Sequence, residues 1–517
     1  MMRKHIVLLL HIFLCILFVL LVIWNASKFF DGRPLQPGND ASYHIRTGYN
    51  LYKHQTHSLD KEAPFKPTAY REPAPSAFVA LIIASNSKLR NIDIDAILAG
   101  GDGLEILRYA QLPICIISAF LAMYLVYLLT KNMIYGYIAL FLVGFSNSLL
   151  FSAWSINTEH LAALFAVCAS ISLYKAVKVK SKKYFAFLGV SLGLLVLTKG
   201  VFIYCIYFLL IFLPLLAKAG VFEKKKILIR MVVLAAAYFA LAGSWMVRNY
   251  VHFNRFYVTG RGGVIVLVRA EYNTMNSTEY FGSFLWWTPS NYIHQKLIPR
   301  FYGENALFKG GALWRLRRNN YETGHLRRAT NKRKELMSKS GTGETIAIDK
   351  ELKSLAKGKV LAHSFRHILT TIPMAWRGIF VENTYARNLE IICDRNFGLA
   401  HPFSTAIVNP VAIGLAYFGS LFFLALSGVR KKKWELLAIT LPSLYLYGIN
   451  SFVTHNIPRY NQPIIPVLAV ALLFAASLAI NKIAGKLKVV KTVDKTAPRK
   501  RGLHKKDRHK RRRGKIR

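Results

Sequence analysis

Asp40 stands in the stretch PGNDASYHIRTGYNLY, which begins at Pro37 soon after the first apolar run of the chain. Tyr43 and Thr47 follow it at helical spacing, and Arg71-Glu72-Pro73 comes about thirty residues later, leading into another apolar segment. A carboxylate beside a membrane surface, with an arginine nearby, suits chemistry on a lipid phosphate. The carboxylate takes a proton from an incoming hydroxyl, and the guanidinium holds a phosphate through two hydrogen bonds. A solvated loop acid and a juxtamembrane arginine among lipid head groups would look the same on these residues alone.

Polar residues of the same kind recur at the ends of later apolar runs. Glu159-His160 follow Asn157-Thr158; Lys199 lies in Thr198-Lys199-Gly200; Arg248-Asn249 close another run. His455, Arg459-Tyr460 and Asn461 stand in HNIPRYNQPIIP. Taken singly, each cation is also explained as a snorkelling side chain. Taken together they suggest an enzyme using a lipid-phosphate donor. Asp40 is then the general base on an acceptor hydroxyl, and Glu159 orients the acceptor or supports the base. Arg71, Lys199, Arg248 and Arg459 stabilise the departing phosphate, each contact worth about 2–4 kcal/mol of barrier. Tyr43, Glu72, His160 and Tyr460 complete the expected substrate-binding set. No metal-ligand spacing occurs. Glu159-His160 is too little to assign a metal, so no cofactor is assigned and a divalent cation is left open.

The elements that must carry these residues are membrane helices. The chain has 517 residues, 53% of them hydrophobic, with apolar runs near twenty residues long. The runs lack barrel alternation, so helices are the way to satisfy their backbones in lipid. This predicts an all-α polytopic membrane protein with a small mixed extracytoplasmic region. The expected spans are roughly 5–24, 107–130, 133–151, 158–177, 184–199, 201–218, 227–246, 406–428, 434–453 and 461–481. The run at 184–218 is read as two short helices around a tight turn at Lys199. Residues 1–246 form an N-terminal membrane module with an outer loop at 25–106. Residues 247–405 form an extracytoplasmic loop region, 406–481 the last membrane helices, and 482–517 a disordered basic tail.

The net charge is +45. Arg3-Lys4, Lys131, Lys178 to Lys183, Lys224 to Lys226, Arg430 to Lys433 and the tail fall on one side when every span is crossed in turn. The positive-inside rule makes that side cytoplasmic, with both termini. The tail, with about seventeen Lys and Arg, is expected to adsorb to anionic lipids rather than to nucleic acid. In the loop at 247–405, Gly260 to Ala270 reads as a short strand or a buried segment. The Gly-x-Gly-Gly there is no dinucleotide fingerprint, since no βαβ unit surrounds it. Arg315 to Ser340 reads as a basic helix broken by Gly341-Thr342-Gly343. A second helix is expected from Asp349 towards His367, and Ile372 to Phe380 is expected to dip into the interface. The five cysteines are scattered and mostly sit within apolar runs, as small apolar residues do.

The ordered set resembles a family. An acid in D-x-x-Y after the first span is followed by R-E-P-x-P-S-x-F, then T-E before the fourth span and L-T-K at a helical turn. W-x-x-R-N-Y and P-R-Y-x-x-P come later. This is similar to the GT-C glycosyltransferases, in the bacterial branch close to protein O-mannosyltransferases and the aminoarabinose transferases of lipid A. The resemblance implies an inverting transfer of a sugar from a polyprenyl-phosphate donor to a lipid, glycan or protein acceptor. It places the reaction at the outer face of a bacterial inner membrane, in cell-envelope or lipopolysaccharide modification. It maps the catalytic acid onto Asp40 and a second acid onto Glu159. Ala41 stands where many relatives carry a second acid, and Ala74-Pro75 lacks the usual tyrosine. Two alternatives stand beside it. An O-antigen ligase or polymerase type of transferase would use Arg300, His325, Arg327 and Arg328. A transporter or flippase predicts repeats and midplane charges, neither of which is evident in the sequence.

Overall fold

Long apolar runs without strand alternation satisfy their backbones as helices, and the computed structural model of the chain is built that way. It describes residues 2–30, 37–290, 292–317, 323–340, 346–383 and 410–496, and no strand occurs among them. The first half holds α1 (Met2–Phe30), α2 (Asn39–His54), α3 (Pro73–Ser85), α4 (Ser87–Asn91), α5 (Ile94–Ala99) and α6 (Asp102–Tyr109). There follow α7 (Leu112–Thr130), α8 (Met133–Gly144), α9 (Asn147–Trp154), α10 (Glu159–Val179), α11 (Lys182–Thr198), α12 (Cys205–Lys218) and α13 (Lys224–Phe253). A middle region holds α14 (Gly263–Glu271), α15 (Ser277–Trp287), α16 (Ile298–Tyr302), α17 (His325–Ser340), α18 (Ile346–Ala362) and α19 (Ser364–Gly378). The chain continues through α20 (Pro410–Arg430), α21 (Trp434–Val453) and α22 (Ile465–Thr496). Contacts divide it into two units, Met1–Ala475 and Ala476–Arg517.

Among the described residues, eight helices are long and apolar enough to cross a membrane. They are His5–Phe30, Asp102–Thr130, Glu159–Val179, Gly200–Lys218, Lys225–Phe253, Val411–Arg430, Trp434–Val453 and Pro458–Ala484. The expected span at 133–151 is α8 and α9, bent by 43° at their junction, and counts as a ninth if the pair is one span. Ser146 makes the break: its side chain caps α9 by accepting from Leu149 N–H. The expected span at 184–199 is α11, whose 17 residues are fewer than the roughly 20 of an ordinary crossing. It packs between α10 and α13.

Other expectations are refined. The β-branched run at 260–270, expected as a short strand or a buried segment, is buried and enters helix α14 at Gly263, because Val264, Leu267 and Val268 bury at helical spacing, and that packing outweighs strand propensity. The described residues of the middle region contain helices and no strand. The single helix expected from Asp349 to His367 breaks at His363, which leaves helical geometry (φ −131°, ψ 40°). The break lets α18 pack on α14 while α19 packs on α21. In α19 the outward apolar face lies at Phe365, Ile368 and Ile372, which are 72%, 60% and 55% exposed, and Ile379 and Phe380 just after it are buried in the main core. Apolar side chains turned outward at that spacing suit a lipid interface. Helical backbone continues to Thr496 where a disordered tail was expected from 482; residues 497–517 lie outside the described ones, as do Gly341-Thr342-Gly343 and Cys393. The other four cysteines are free.

Two packing features place α2, which carries Asp40. Pro73 opens α3 at a position where a missing N–H costs nothing. Gly48 lets α2 and α3 touch: a Cβ there would lie 2.7 Å from Ser76 O and 2.7 Å from Val79 Cβ. Thr47 Oγ1 and Ser76 Oγ share a hydrogen bond across the same contact. Gly48→Ala is therefore expected to cost about 1–3 kcal/mol by overpacking. Gly358→Ala, at a helical glycine with open space around it, is expected to stabilise by about 0.5–1 kcal/mol. Thermal unfolding of the two variants in detergent checks the contrast, and equal shifts would refute the packing argument.

Candidate functional site

Asp40 sits in the first turn of α2, where a carboxylate is favoured by the helix dipole. Three arginines from distant segments converge on it. Arg71 Nη2 is 2.5 Å from Oδ1, Arg261 Nη1 is 3.4 Å from Oδ1, and Arg459 Nη2 is 3.0 Å from Oδ2. Burial alone would raise the Asp40 pKa, but the charges of Arg71, Arg459 and Arg261 outweigh it and hold the carboxyl well below the usual range. Arg459 also lies 3.4 Å from Glu159 Oε1, so its guanidinium stands between the two acids.

Glu159 opens α10 and is buried. Its Oε1 accepts from Lys199 Nζ at 3.0 Å. Lys199 ends α11 in extended geometry (φ −149°, ψ 101°) before a 3-10 turn, Gly200–Tyr204. Glu72 accepts from Gly200 N–H at 3.0 Å and so ties the Arg71 segment to that turn. The anionic partner that Lys199 requires is thus supplied by the chain itself.

The loops that deliver the arginines are held by hydrogen bonds to backbone. Gly260 N–H donates to Ala69 O and Thr259 Oγ1 to Tyr70 O, which lays the Arg261 segment along the Arg71 segment. Asn249 Nδ2, at the end of α13, donates to Tyr257 O and Val258 O. Asn461 Nδ2 donates to Gly378 O, and Asn450 Nδ2 to Tyr460 O, which fixes the turn that carries Arg459. Buried Arg269 bonds His367 O, Thr370 and Ser451 O, joining α14 and α19 to α21.

These segments enclose a cavity of about 380 Å³, within the range of small-molecule sites. Asp40, Arg71, Glu72, Glu159, Lys199, Arg459 and Tyr460 line it. Tyr43, His160 and Arg248 do not. The Tyr43 ring lies 4.9 Å from the Arg71 guanidinium and backs it. His160 is buried between Ser152 Oγ and Gln111 Oε1. Arg248 donates to Thr68 O and stacks on Trp245, which braces the loop before Arg71.

The sequence reading missed Arg261, Lys353 and His44, which also line the cavity. Arg261 lay in view within the Gly-rich segment at 260–263, read for its glycines. Lys353 is one of many lysines in a basic stretch, and no local signal marks it. His44 lies four residues after Asp40, and the helical period alone would have placed both on one face.

The residues assigned to the ligase alternative stand apart from the cavity. His325 is buried against Glu279 Oε2 at 3.5 Å and Arg328 pairs with Glu271 at 3.2 Å, inside the middle region. Trp287 packs there too, under Arg377. Among the described residues, no group of three or more His, Cys, Asp or Glu could hold a metal ion.

No protein-family model matches the chain, and no curated protein does. Among solved structures it is similar to the archaeal oligosaccharyltransferase AglB from Archaeoglobus fulgidus, in complex with an inhibitory peptide and a dolichol-phosphate. The identity is 15% and the TM-score 0.43, over 94% of this chain and 52% of that one. The chain thus spans about half the length of that protein.

The Glu159–Lys199 pair generates a stability prediction. The Glu159 side chain is 3% exposed, so Lys199→Met strands a buried charge with Arg459 alone and is expected to cost about 3 kcal/mol. Adding Glu159→Gln removes that charge and is expected to restore at least half of the loss. Thermal unfolding of single and double variants checks this; a double variant no more stable than Lys199→Met would refute it.

Proposed function

We propose that the chain is an inverting glycosyltransferase, moving a sugar from a polyprenyl-phosphate donor to a lipid, glycan or protein acceptor. The observation that carries the reading is one cavity in which Asp40 and Glu159 stand among Arg71, Arg261, Arg459, Lys199 and Lys353. With Glu72, five cations meet three carboxylates, and Asp349, paired with Lys353 at 2.6 Å, brings the balance to one excess positive charge. Such a cavity suits an anion, and guanidiniums with lysines suit a phosphate.

In the proposed reaction the acceptor hydroxyl oxygen attacks the anomeric carbon as the bond from that carbon to the phosphate oxygen breaks. The lipid phosphate departs with the bonding electrons, and the cations stabilise its growing charge. The hydroxyl proton goes to Asp40. The three arginines make Asp40 a weak base. A bound phosphate competes for those guanidiniums and loosens their hold, so Asp40 becomes more basic as the donor arrives. Glu159, held by Lys199 and Arg459, adjoins the clamp through Arg459 and supports the acceptor. Charge stabilisation is supplied by this chain's own side chains.

The proposed setting is an integral multi-pass protein of a bacterial inner membrane with the cavity facing outward and both termini cytoplasmic. Its support is the distribution of loop lysines and arginines. Anionic lipids are the proposed partners of the basic tail.

A transfer assay in nanodiscs, with radiolabelled polyprenyl-phosphate sugars and membrane extract as acceptor, tests the reading. Asp40→Asn is expected to lower transfer by about 10²–10⁴-fold. Wild-type-like turnover in that variant sinks the assignment. The pH profile is a further check. Asp40 has a depressed pKa in the folded chain, so it stays ionised down past the ordinary carboxylate range; the stability it contributes is full above about pH 4 and is lost progressively as pH falls below that. Proton uptake by the donor-free protein between about pH 5 and 8 is therefore expected to show no step from Asp40. A step in that window that Asp40→Asn removes would contradict the arginine clamp.

A further inference from the structure

The charged residues of the cavity are engaged with one another, and the neutral ones raise a separate question. His44 lines the cavity and is 1% exposed. Its side chain makes no hydrogen bond among the described residues, and Nδ1 is fully enclosed without a partner. A buried polar nitrogen left unsatisfied costs about 1–3 kcal/mol, so its retention calls for an explanation. Tyr257 repeats the pattern: it lines the same cavity and its hydroxyl is enclosed without a partner.

His44 lies one helical turn beyond Asp40, with roughly 5–6 Å between their Cβ atoms, and on the same face of α2. It is the deeper of the two, since the Asp40 side chain is 29% exposed. Burial and then the charge of Arg71 push the His44 pKa down to about 3. Asp40 and Glu159 oppose that shift, and His57 adds to it. The imidazole is therefore neutral, with one N–H donor and one acceptor nitrogen. That combination matches a hydroxyl, which also donates and accepts. A phosphate offers only acceptors and finds the neighbouring guanidiniums more favourable.

We infer that His44, with the Tyr257 hydroxyl, forms a neutral subsite that reads hydroxyl groups of the sugar being transferred, below the cations that hold its phosphate. The inference rests on the proposed transferase reading. It follows from connectivity: a sugar is bonded directly to the phosphate, so a phosphate gripped by Arg71 and Arg459 brings the ring within reach of the next turn of α2. The acceptor approaches Asp40 from the more open side. In this arrangement phosphate affinity and sugar selectivity reside in different side chains of one cavity.

The test uses full-length protein in nanodiscs and two kinds of probe. Undecaprenyl phosphate carries the anion without a sugar; undecaprenyl-phosphate-linked mannose, glucose and 4-amino-4-deoxyarabinose carry both. Equilibrium binding is measured for wild type, His44→Ala, His44→Gln and Tyr257→Phe, each first shown to be monodisperse with an unchanged melting temperature. The wild type is expected to bind at least one sugar lipid more tightly than undecaprenyl phosphate. For that sugar lipid, His44→Ala is expected to lose about tenfold in affinity, while its affinity for undecaprenyl phosphate stays within about twofold. His44→Gln, which keeps a neutral donor and acceptor, is expected to recover most of the loss, and Tyr257→Phe to show a smaller loss of the same selectivity. Equal losses on both kinds of probe, or none on either, overturn the subsite. A His44→Ala protein that fails the stability check leaves His44→Gln and Tyr257→Phe to decide it: sugar-lipid selectivity unchanged from wild type in Tyr257→Phe overturns the subsite. Wild type binding undecaprenyl phosphate but preferring no sugar lipid overturns the subsite alone. Wild type binding none of the probes overturns the phosphate-donor reading together with it.

Discussion

Three guanidiniums facing one carboxylate is the interaction on which the rest of this structure depends. Arg71, Arg261 and Arg459 come from segments far apart in the chain, and Asp40 is where they meet. Like charges gathered on one group repel one another. The carboxylate offsets that repulsion and lets the segments pack. The same arrangement leaves the cavity with excess positive charge. One interaction therefore brings the three segments together and gives the cavity its positive character.

The clamp works only because the loops carrying it are stiff. Each runs near the ends of apolar helices, where unsatisfied backbone groups are expensive. The protein meets this with asparagine amides that bond backbone carbonyls: Asn249 for the segment before Arg261, Asn450 and Asn461 for the one bearing Arg459. Arg269 does the same between the middle region and α21, donating to two backbone carbonyls and to side-chain hydroxyls from a fully buried position. These polar contacts are costly to bury unless every member is satisfied. Satisfied, they hold the loops in one geometry, which is what electrostatic preorganisation requires.

Lys199 shows how local sequence and packing combine. It interrupts a long apolar run, and the run turns there into a short 3-10 segment. Its charge is neutralised by Glu159 at the head of α10, while Glu72 caps the turn from a third direction. A residue that breaks a helix, a buried acid and a loop acid thus form one joint. The joint positions Glu159 on the cavity wall, linked to the arginine clamp through Arg459, and the lysine ammonium lies 5.5 Å from the Tyr460 ring.

Much of this was legible in the sequence, for definite reasons. Apolar runs near twenty residues long dictate helices in lipid, so the membrane class and most of the spans follow from composition and length. Charged residues at the ends of such runs are costly enough to stand out, and so Asp40, Arg71, Glu159, Lys199 and Arg459 could be read as one set. Whether a polar residue at a helix end faces the cavity or the scaffold is a different matter. Arg248 has the same type and setting as Arg459, and His160 stands next to Glu159, yet Arg248 braces a loop and His160 bonds Gln111. Only the rotation of each helix against its neighbours separates the two outcomes, and local sequence does not encode it. Arg261 and Lys353 reach the cavity because α14 is a helix and α18 packs on it, which the burial of Val264, Leu267 and Val268 decides against the strand preference of those residues. The sequence by itself determined the helices, their order and the kind of charge at their ends; the tertiary structure decided which charges meet, because pairing across some two to four hundred residues is set by packing rather than by spacing.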